Sequence, residues 1–290
     1  MSENLKIVAV TGPTATGKTA LAVALARRFD AEIVSVDSRQ VYRHMDIGTG
    51  KDLDEYGGVK YHLIDIADPA TEVYDLARFC RDASNAVLDI AARDKNIILC
   101  GGTALYLAAL LNDYELPGGK LSPRQPGKAR ERQAADGAPS FKLPFMADHL
   151  VLGVLFPRAV VRERIAARLD ARLAAGMIDE VRDLTEKYGV PMEKLEFFGL
   201  EYREVGRYLK GECTREEMRD TLLDRIRQFA KRQDIFFRKL EREGNAIYWL
   251  PEGNFAQAEA LVRKFLAGEP LPPVVYRLAD HPNPRQPQGN

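Results

Sequence analysis

Residues 12–19 read Gly-Pro-Thr-Ala-Thr-Gly-Lys-Thr and satisfy the spacing G-x-x-x-x-G-K-[ST]. An apolar run at 7–10 leads into this stretch, and residues 18–28 leave it with helical spacing of apolar side chains. Strand, glycine loop and helix in that order constrain the chain strongly. The glycines let the backbone wrap so that successive N–H groups converge on an anion, and the helix N-terminus adds partial positive charge. In such a loop the lysine, Lys18, reaches a terminal phosphate, and the hydroxyl of Thr19 ligates Mg²⁺. A phosphate or diphosphate site is therefore expected from Gly12, Pro13, Thr14, Ala15, Thr16, Gly17, Lys18 and Thr19.

Short apolar runs bounded by turn residues recur at 33–36, 62–66, 97–100 and 150–156, and helical patterns fill 73–93 and 103–112. This alternation predicts an α/β fold of the P-loop NTPase-like kind, a mostly parallel sheet flanked by helices. The C-terminal portion is helical. Residues 161–188 read as one helix stopped by Gly189 and Pro191, and 215–243 as a second long helix. A returning strand (245–250) and a final helix (254–266) follow. The expected organisation is a catalytic core (1–115), a Pro-rich basic loop (116–147) and a core strand (148–157). Then come a substrate-facing helical portion (158–243), the strand and helix of 244–268, and a disordered Pro-rich tail (269–290).

The chain has 290 residues, and no apolar run is long enough to span a bilayer. Its N-terminus lacks the basic and long apolar regions of a signal peptide. Cys80, Cys100 and Cys213 are scattered, as are four histidines, so neither a disulfide framework nor a zinc pattern emerges. A reduced, cytoplasmic protein is expected. Net charge is zero, which by itself argues against a polyanionic partner. Its distribution says otherwise: residues 120–133 hold five basic side chains against one acid, and 219–242 hold eight against four. Solvated helix faces would explain such runs equally well.

The phosphate loop does not name a reaction. ATP-hydrolysing proteins with this loop commonly hold Mg²⁺ with an acid ending another strand. The run at 97–100 leads instead into Gly101-Gly102-Thr103, whereas 33–36 ends in Asp37. Its carboxylate should emerge at the carboxyl edge of the sheet beside the phosphate loop, where α/β folds bind ligands. The alternative is that Asp37 caps a following helix.

Five further blocks carry a resemblance. They are Ser35-Val36-Asp37-Ser38-Arg39-Gln40-Val41-Tyr42, Met45-Asp46-Ile47-Gly48-Thr49, Tyr61-His62-Leu63-Ile64-Asp65, Gly101-Gly102-Thr103-Ala104-Leu105-Tyr106, and Arg227-Gln228-Phe229-Ala230-Lys231-Arg232-Gln233. Together with the phosphate loop they resemble the tRNA dimethylallyltransferase family. The resemblance implies transfer of a dimethylallyl group from dimethylallyl diphosphate to N6 of the adenosine 3′ of a tRNA anticodon. It implies that Asp37 is the general base and that Thr103 contacts substrate near the reacting centre. Arg227 and Arg232, five residues apart and so not on one narrow helix face, would divide the contacts to diphosphate and the tRNA anticodon stem-loop, while Ser38 and Gln40 read the flipped adenine and Arg39 binds substrate beside them. Mg²⁺ on Thr19 is the expected cofactor, and a monomer the expected unit. His62 reads as structural, Tyr42 and Tyr106 as core aromatics, and Glu201-Tyr202-Arg203 in the helical portion could equally serve packing. Asp65 could hold Mg²⁺ through water or cap a helix.

Two features depart from the family pattern. Ala104 replaces its glycine, and its longer middle insertion shrinks to the Pro-rich stretch 116–144. The basic residues 120–132 could grip RNA in its place. Two other readings therefore stand: a prenyltransferase acting on free AMP, ADP or ATP, and a small-molecule kinase.

Overall fold

The computed structural model describes residues 5–111, 144–145 and 147–281. The basic stretch 120–132, and with it the expected RNA-gripping loop, lies outside the described residues.

Strand β1 (Leu5–Thr11) runs into helix α1 (Lys18–Arg28), followed by β2 (Ala31–Ser35), β3 (Tyr61–His62), α2 (Leu76–Ala91), β4 (Asn96–Cys100) and α3 (Ala104–Leu111). After the undescribed stretch come β5 (Ala147–Leu155), α4 (Arg158–Ala174), α5 (Met177–Glu186), α6 (Leu200–Leu209), α7 (Arg215–Arg242), β6 (Ile247–Pro251) and α8 (Phe255–Ala267). The six strands form one sheet in the order β3-β2-β4-β1-β5-β6, every pairing parallel. With helices on its faces, a parallel sheet buries both sides of its central strands. That is why β1 and β4 read as unbroken apolar runs. Ile7, Val8, Ala9 and Val10 are buried, as are their register partners Ile97, Ile98, Leu99 and Cys100.

Because all strands run the same way, their carboxyl ends share one edge. The loops after β1, β2 and β4 therefore emerge side by side, with the central β1 flanked by strands reached in opposite directions. Helix α2 shows how the flanking layer is specified: Asp75 Oδ1 accepts the Arg78 amide at 2.8 Å and caps its start. Phe79, Cys80, Ala83, Val87 and Ile90 then recur at helical spacing and pack inward.

Three expectations change. The strand expected over 62–66 is only the pair Tyr61–His62, because Leu63 and Asp65 take positive φ (65° and 58°) and end the extended run. The single helix expected over 161–188 is two, α4 and α5. Gly176 at φ 100° breaks it, a conformation that costs a glycine little. The tail expected to be disordered from 269 is described as far as residue 281, and its last described residues include a 3₁₀ turn (Leu278–Asp280).

Glu241 on α7 explains that last correction. Its buried carboxylate accepts the Trp249 indole N–H at 2.8 Å and the amides of Leu278 and Ala279 at 3.1 and 2.6 Å. Leu278 is fully buried beside it. One acid thus clips the tail, β6 and α7 together. Glu241→Ala strands three donors, and a loss of about 3 kcal/mol in urea unfolding is expected from hydrogen bonds to a buried charge.

Candidate active site

The loop from Gly12 to Gly17 takes positive φ at Gly12, Ala15 and Gly17 (147°, 61° and 77°), a conformation that costs the two glycines little. Gly17 sits at φ 77° and opens α1 with no side-chain cap, leaving the first helical N–H groups directed at the loop. The Thr16 hydroxyl donates to Pro13 O at 2.8 Å, and so does Lys18 Nζ at the same distance, drawing the loop closed. Burial pulls the Lys18 ammonium down to about 8, with Arg168 adding to the shift; Cys100 and Asp37 oppose it.

Asp37 follows β2, as its position predicted, but no helix starts there. Its Oδ1 accepts the amides of Arg39 and Gln40 at 2.8 and 3.2 Å, an Asx-type turn. Oδ2 is then the oxygen left for chemistry. Thr103 Oγ1 accepts the Ser38 amide at 3.1 Å, so the loops after β2 and β4 are joined directly above the phosphate loop. The Thr103 hydroxyl hydrogen stays available to donate. Gln40 is more committed than expected. Its amide oxygen takes the Ser35 hydroxyl at 3.1 Å and its Nε2 donates to Gly50 O at 3.0 Å, which makes it a strut of the cavity wall. The Arg39 guanidinium lies 5.0 Å from the Phe197 ring centroid, held by a cation–π contact.

These groups line one cavity of about 390 Å³, floored by Thr14, Lys18 and Thr19. Asp37, Ser38, Arg39, Gln40 and Thr103 form one wall, and Arg232 reaches it from α7. Arg227 does not. It lines a separate cleft between α4 and α7 with Arg158 and Arg162, and its Nη1 stands 3.5 Å from Asp224. Five residues of helix rotate Arg232 about 140° from Arg227, so both cannot face the same cavity. Of the two arginines, Arg232 is therefore the one placed for diphosphate, and the expected contact left to Arg227 is with tRNA, from the cleft that it lines.

Several cavity residues escaped the sequence reading. Arg168 and Arg172 line the cavity from α4, one turn apart on one face, and that spacing was the available signal. Glu201, expected as part of a block that could equally pack the helical portion, enters the cavity from the start of α6, a helix not foreseen. Gln233 is the connection between layers: its Oε1 accepts the Thr14 amide at 2.9 Å and its Nε2 donates to Gly102 O at 3.1 Å. Helix α7 is thereby fastened to the phosphate loop and to the loop after β4. A Cβ on Gly102 would come within 2.8 Å of Gln233 Nε2, so glycine there is what lets the amide in.

The remaining sequence candidates are structural. His62 Nε2 sits 2.6 Å from Glu32, away from the cavity. The hydroxyl of the buried Tyr42 takes the Tyr74 amide at 2.8 Å, and Tyr106 stacks on Phe79. Asp65 neither caps a helix nor faces the cavity. It pairs with Lys51, whose side chain is 1% exposed and also reaches Asp46 at 2.7 Å.

The family model described as IPP transferase matches this chain over residues 40–143 and 128–240. The chain belongs to the IPP transferase family. It is similar to tRNA dimethylallyltransferase 1 of Geotalea uraniireducens, 44% identical with 86% of this chain and 93% of that protein covered. It is also similar to tRNA dimethylallyltransferase 2 of Pelobacter propionicus, at 42% over 88% of this chain and 92% of the relative. Among solved structures, the full-length tRNA isopentenylpyrophosphate transferase of Bacillus halodurans shares the fold. Its TM-score is 0.73 at 30% identity, over 91% of this chain and 96% of that one. For an IPP transferase, the open question about the phosphate loop is answered by class: prenyl transfer, not phosphoryl transfer, and the kinase reading is set aside. No helix among the described residues is long and apolar enough to cross a membrane.

Proposed function

We propose that this protein transfers the dimethylallyl group of dimethylallyl diphosphate to N6 of the adenosine 3′ of the anticodon in tRNA. The observation that carries the reading is the convergence of Lys18, Thr19, Asp37, Thr103 and Arg232 on a single cavity. The loop amides, Lys18 and Arg232 hold the diphosphate and neutralise the charge that grows on it as the allylic C–O bond breaks. Adenine N6 supplies the electron pair of the new C–N bond. It is a weak nucleophile because that pair is delocalised into the ring, so loss of its proton to Asp37 favours bond formation. The Oδ1 bonds to two backbone amides orient the carboxylate for that task. Diphosphate leaves with the charge it gained.

Mg²⁺ fits the donor set. The Thr19 hydroxyl is an oxygen ligand at the cavity floor, and diphosphate and water would supply the others. Among the described residues no group of three or more His, Cys, Asp or Glu could hold a metal. A cation that draws most of its ligands from substrate and water needs none. When bound, Mg²⁺ supplies charge neutralisation on the diphosphate.

The acting unit is taken as one chain, since every group invoked lines one cavity of one chain. The cytoplasm is the proposed location, in keeping with Cys80, Cys100 and Cys213 all being free thiols. The test incubates purified protein with labelled dimethylallyl diphosphate and either unmodified tRNA or AMP. Label in tRNA is expected; label entering AMP alone, or neither acceptor, overturns the reading.

A further inference from the structure

Of the described residues lining the cavity, only Asp37 and Glu201 carry carboxylates, against Lys18, Arg39, Arg168, Arg172 and Arg232. Asp37 has a part in the reaction proposed above. Glu201 has none, yet a carboxylate on the wall of an anion site works against the ligand. Its neighbours explain how it is tolerated. Glu201 Oε1 lies 3.9 Å from Arg172 Nη1, with the two side chains only 22% and 15% exposed. Arg172 Nη1 also donates to Gly48 O at 3.2 Å, and Arg168 Nη2 reaches Asp52 at 3.2 Å. Both guanidinium groups lie over Gly50, where any Cβ would collide with them. Glu201, Arg168 and Arg172 also line the small recess that opens on Thr14 and Ala15 of the phosphate loop. The pair thus stands at the diphosphate end of the cavity.

We propose that Glu201 and Arg172 form a charge-balancing pair that sets how tightly the cavity holds diphosphate, Arg172 adding to the grip and Glu201 holding it in check. This rests on the diphosphate reading given above. The ligand-free cavity gathers several cations at close quarters, and one half-buried acid relieves their mutual repulsion. The same acid keeps the product from being held as strongly as the uncompensated cations would hold it. Burial pushes the Glu201 carboxyl up and the Arg172 guanidinium down, while each group's charge opposes the other's shift. That mutual dependence is what such a pairing requires. Glu201 is in this sense a positioning residue, acting on the ligand through the field it shares with Arg172.

The test is calorimetric titration of the full chain with inorganic diphosphate in the presence of Mg²⁺. Glu201→Gln removes the charge and keeps the shape, and should tighten diphosphate binding by about tenfold. It should lower kcat and KM for the allylic diphosphate together, because product departs more slowly. Arg172→Gln should weaken binding by about tenfold in the intact Glu201 background. A role in packing alone would leave diphosphate affinity unchanged or reduced in Glu201→Gln, and either result overturns the pair. Should Glu201→Gln fail to fold, unaltered affinity in Arg172→Gln overturns it equally. Absence of diphosphate binding by the wild-type chain would bring down the diphosphate site itself, and the pair's role with it.

Discussion

Replacing Asp37 by Ala should reduce prenyl transfer by about 10²–10⁴-fold while leaving diphosphate affinity within a few-fold of wild type. The two halves of that expectation come from different oxygens of one side chain. Oδ1 organises the turn after β2 by taking the amides of Arg39 and Gln40, and Oδ2 is free for the proton of N6. Alanine removes both functions, so the companion variant Asp37→Asn matters more. It keeps a side-chain oxygen that accepts both backbone N–H groups, but its amide takes up no proton. Asp37→Asn should be as inactive as Asp37→Ala and more stable. Single-turnover rates with labelled dimethylallyl diphosphate measure the first point, and thermal unfolding the second. An active Asp37→Asn enzyme would remove Asp37 from the base role, and lost diphosphate binding would recast it as a metal ligand.

Lys18→Met should lower turnover by about 10²–10³-fold through loss of a positioned cation on the departing diphosphate. Here the pH dependence is the more specific signature. Burial holds Lys18 in the free protein at about 8, from an ordinary value of 10.5. Diphosphate binding by the free enzyme should therefore weaken as pH rises through about 8, and this limb should be absent in Lys18→Met. Stability runs the other way. Between about 8 and 10.5 the unfolded chain keeps a proton on this lysine that the folded chain has released. The free protein then gains stability from Lys18 as pH increases across that window, whereas at neutral pH the buried ammonium costs stability. Diphosphate offsets that cost when it binds. Unfolding midpoints against pH, with and without diphosphate, separate the two effects.

Much of this site was legible in sequence because its pieces are local. A phosphate loop is eight consecutive residues whose glycines and lysine have to be spaced as they are, and Asp37 follows its strand directly. Helix α1 begins and ends where its pattern says, at Lys18 and Arg28. What sequence reading missed comes from elsewhere in the chain. Arg168, Arg172 and Glu201 sit on α4 and α6, and their side chains meet the phosphate loop only because the helices fold back over the sheet edge. Arg227 is the converse case. It belongs to a sequence block that also contains Arg232 and Gln233, yet the helix turns it to another cleft. Glu241 and the tail fall in the same class. Proline content suggested disorder, and a buried carboxylate on another helix decided for order up to residue 281.

By itself the sequence determined the parallel sheet, the anion-binding loop at its edge and the acid beside that loop. Each follows from residue types at short spacing, where backbone geometry leaves few alternatives. Tertiary structure decided which charges share the cavity. Gln233 fastens α7 to Thr14 and Gly102, fixing the turn of that helix and so admitting Arg232 while excluding Arg227. The approach of α4 and α6 sets Arg172 against Glu201. Such selections depend on rotations and distances between elements far apart in the chain, and a hydrogen bond between two helices or loops sets them where no local periodicity can.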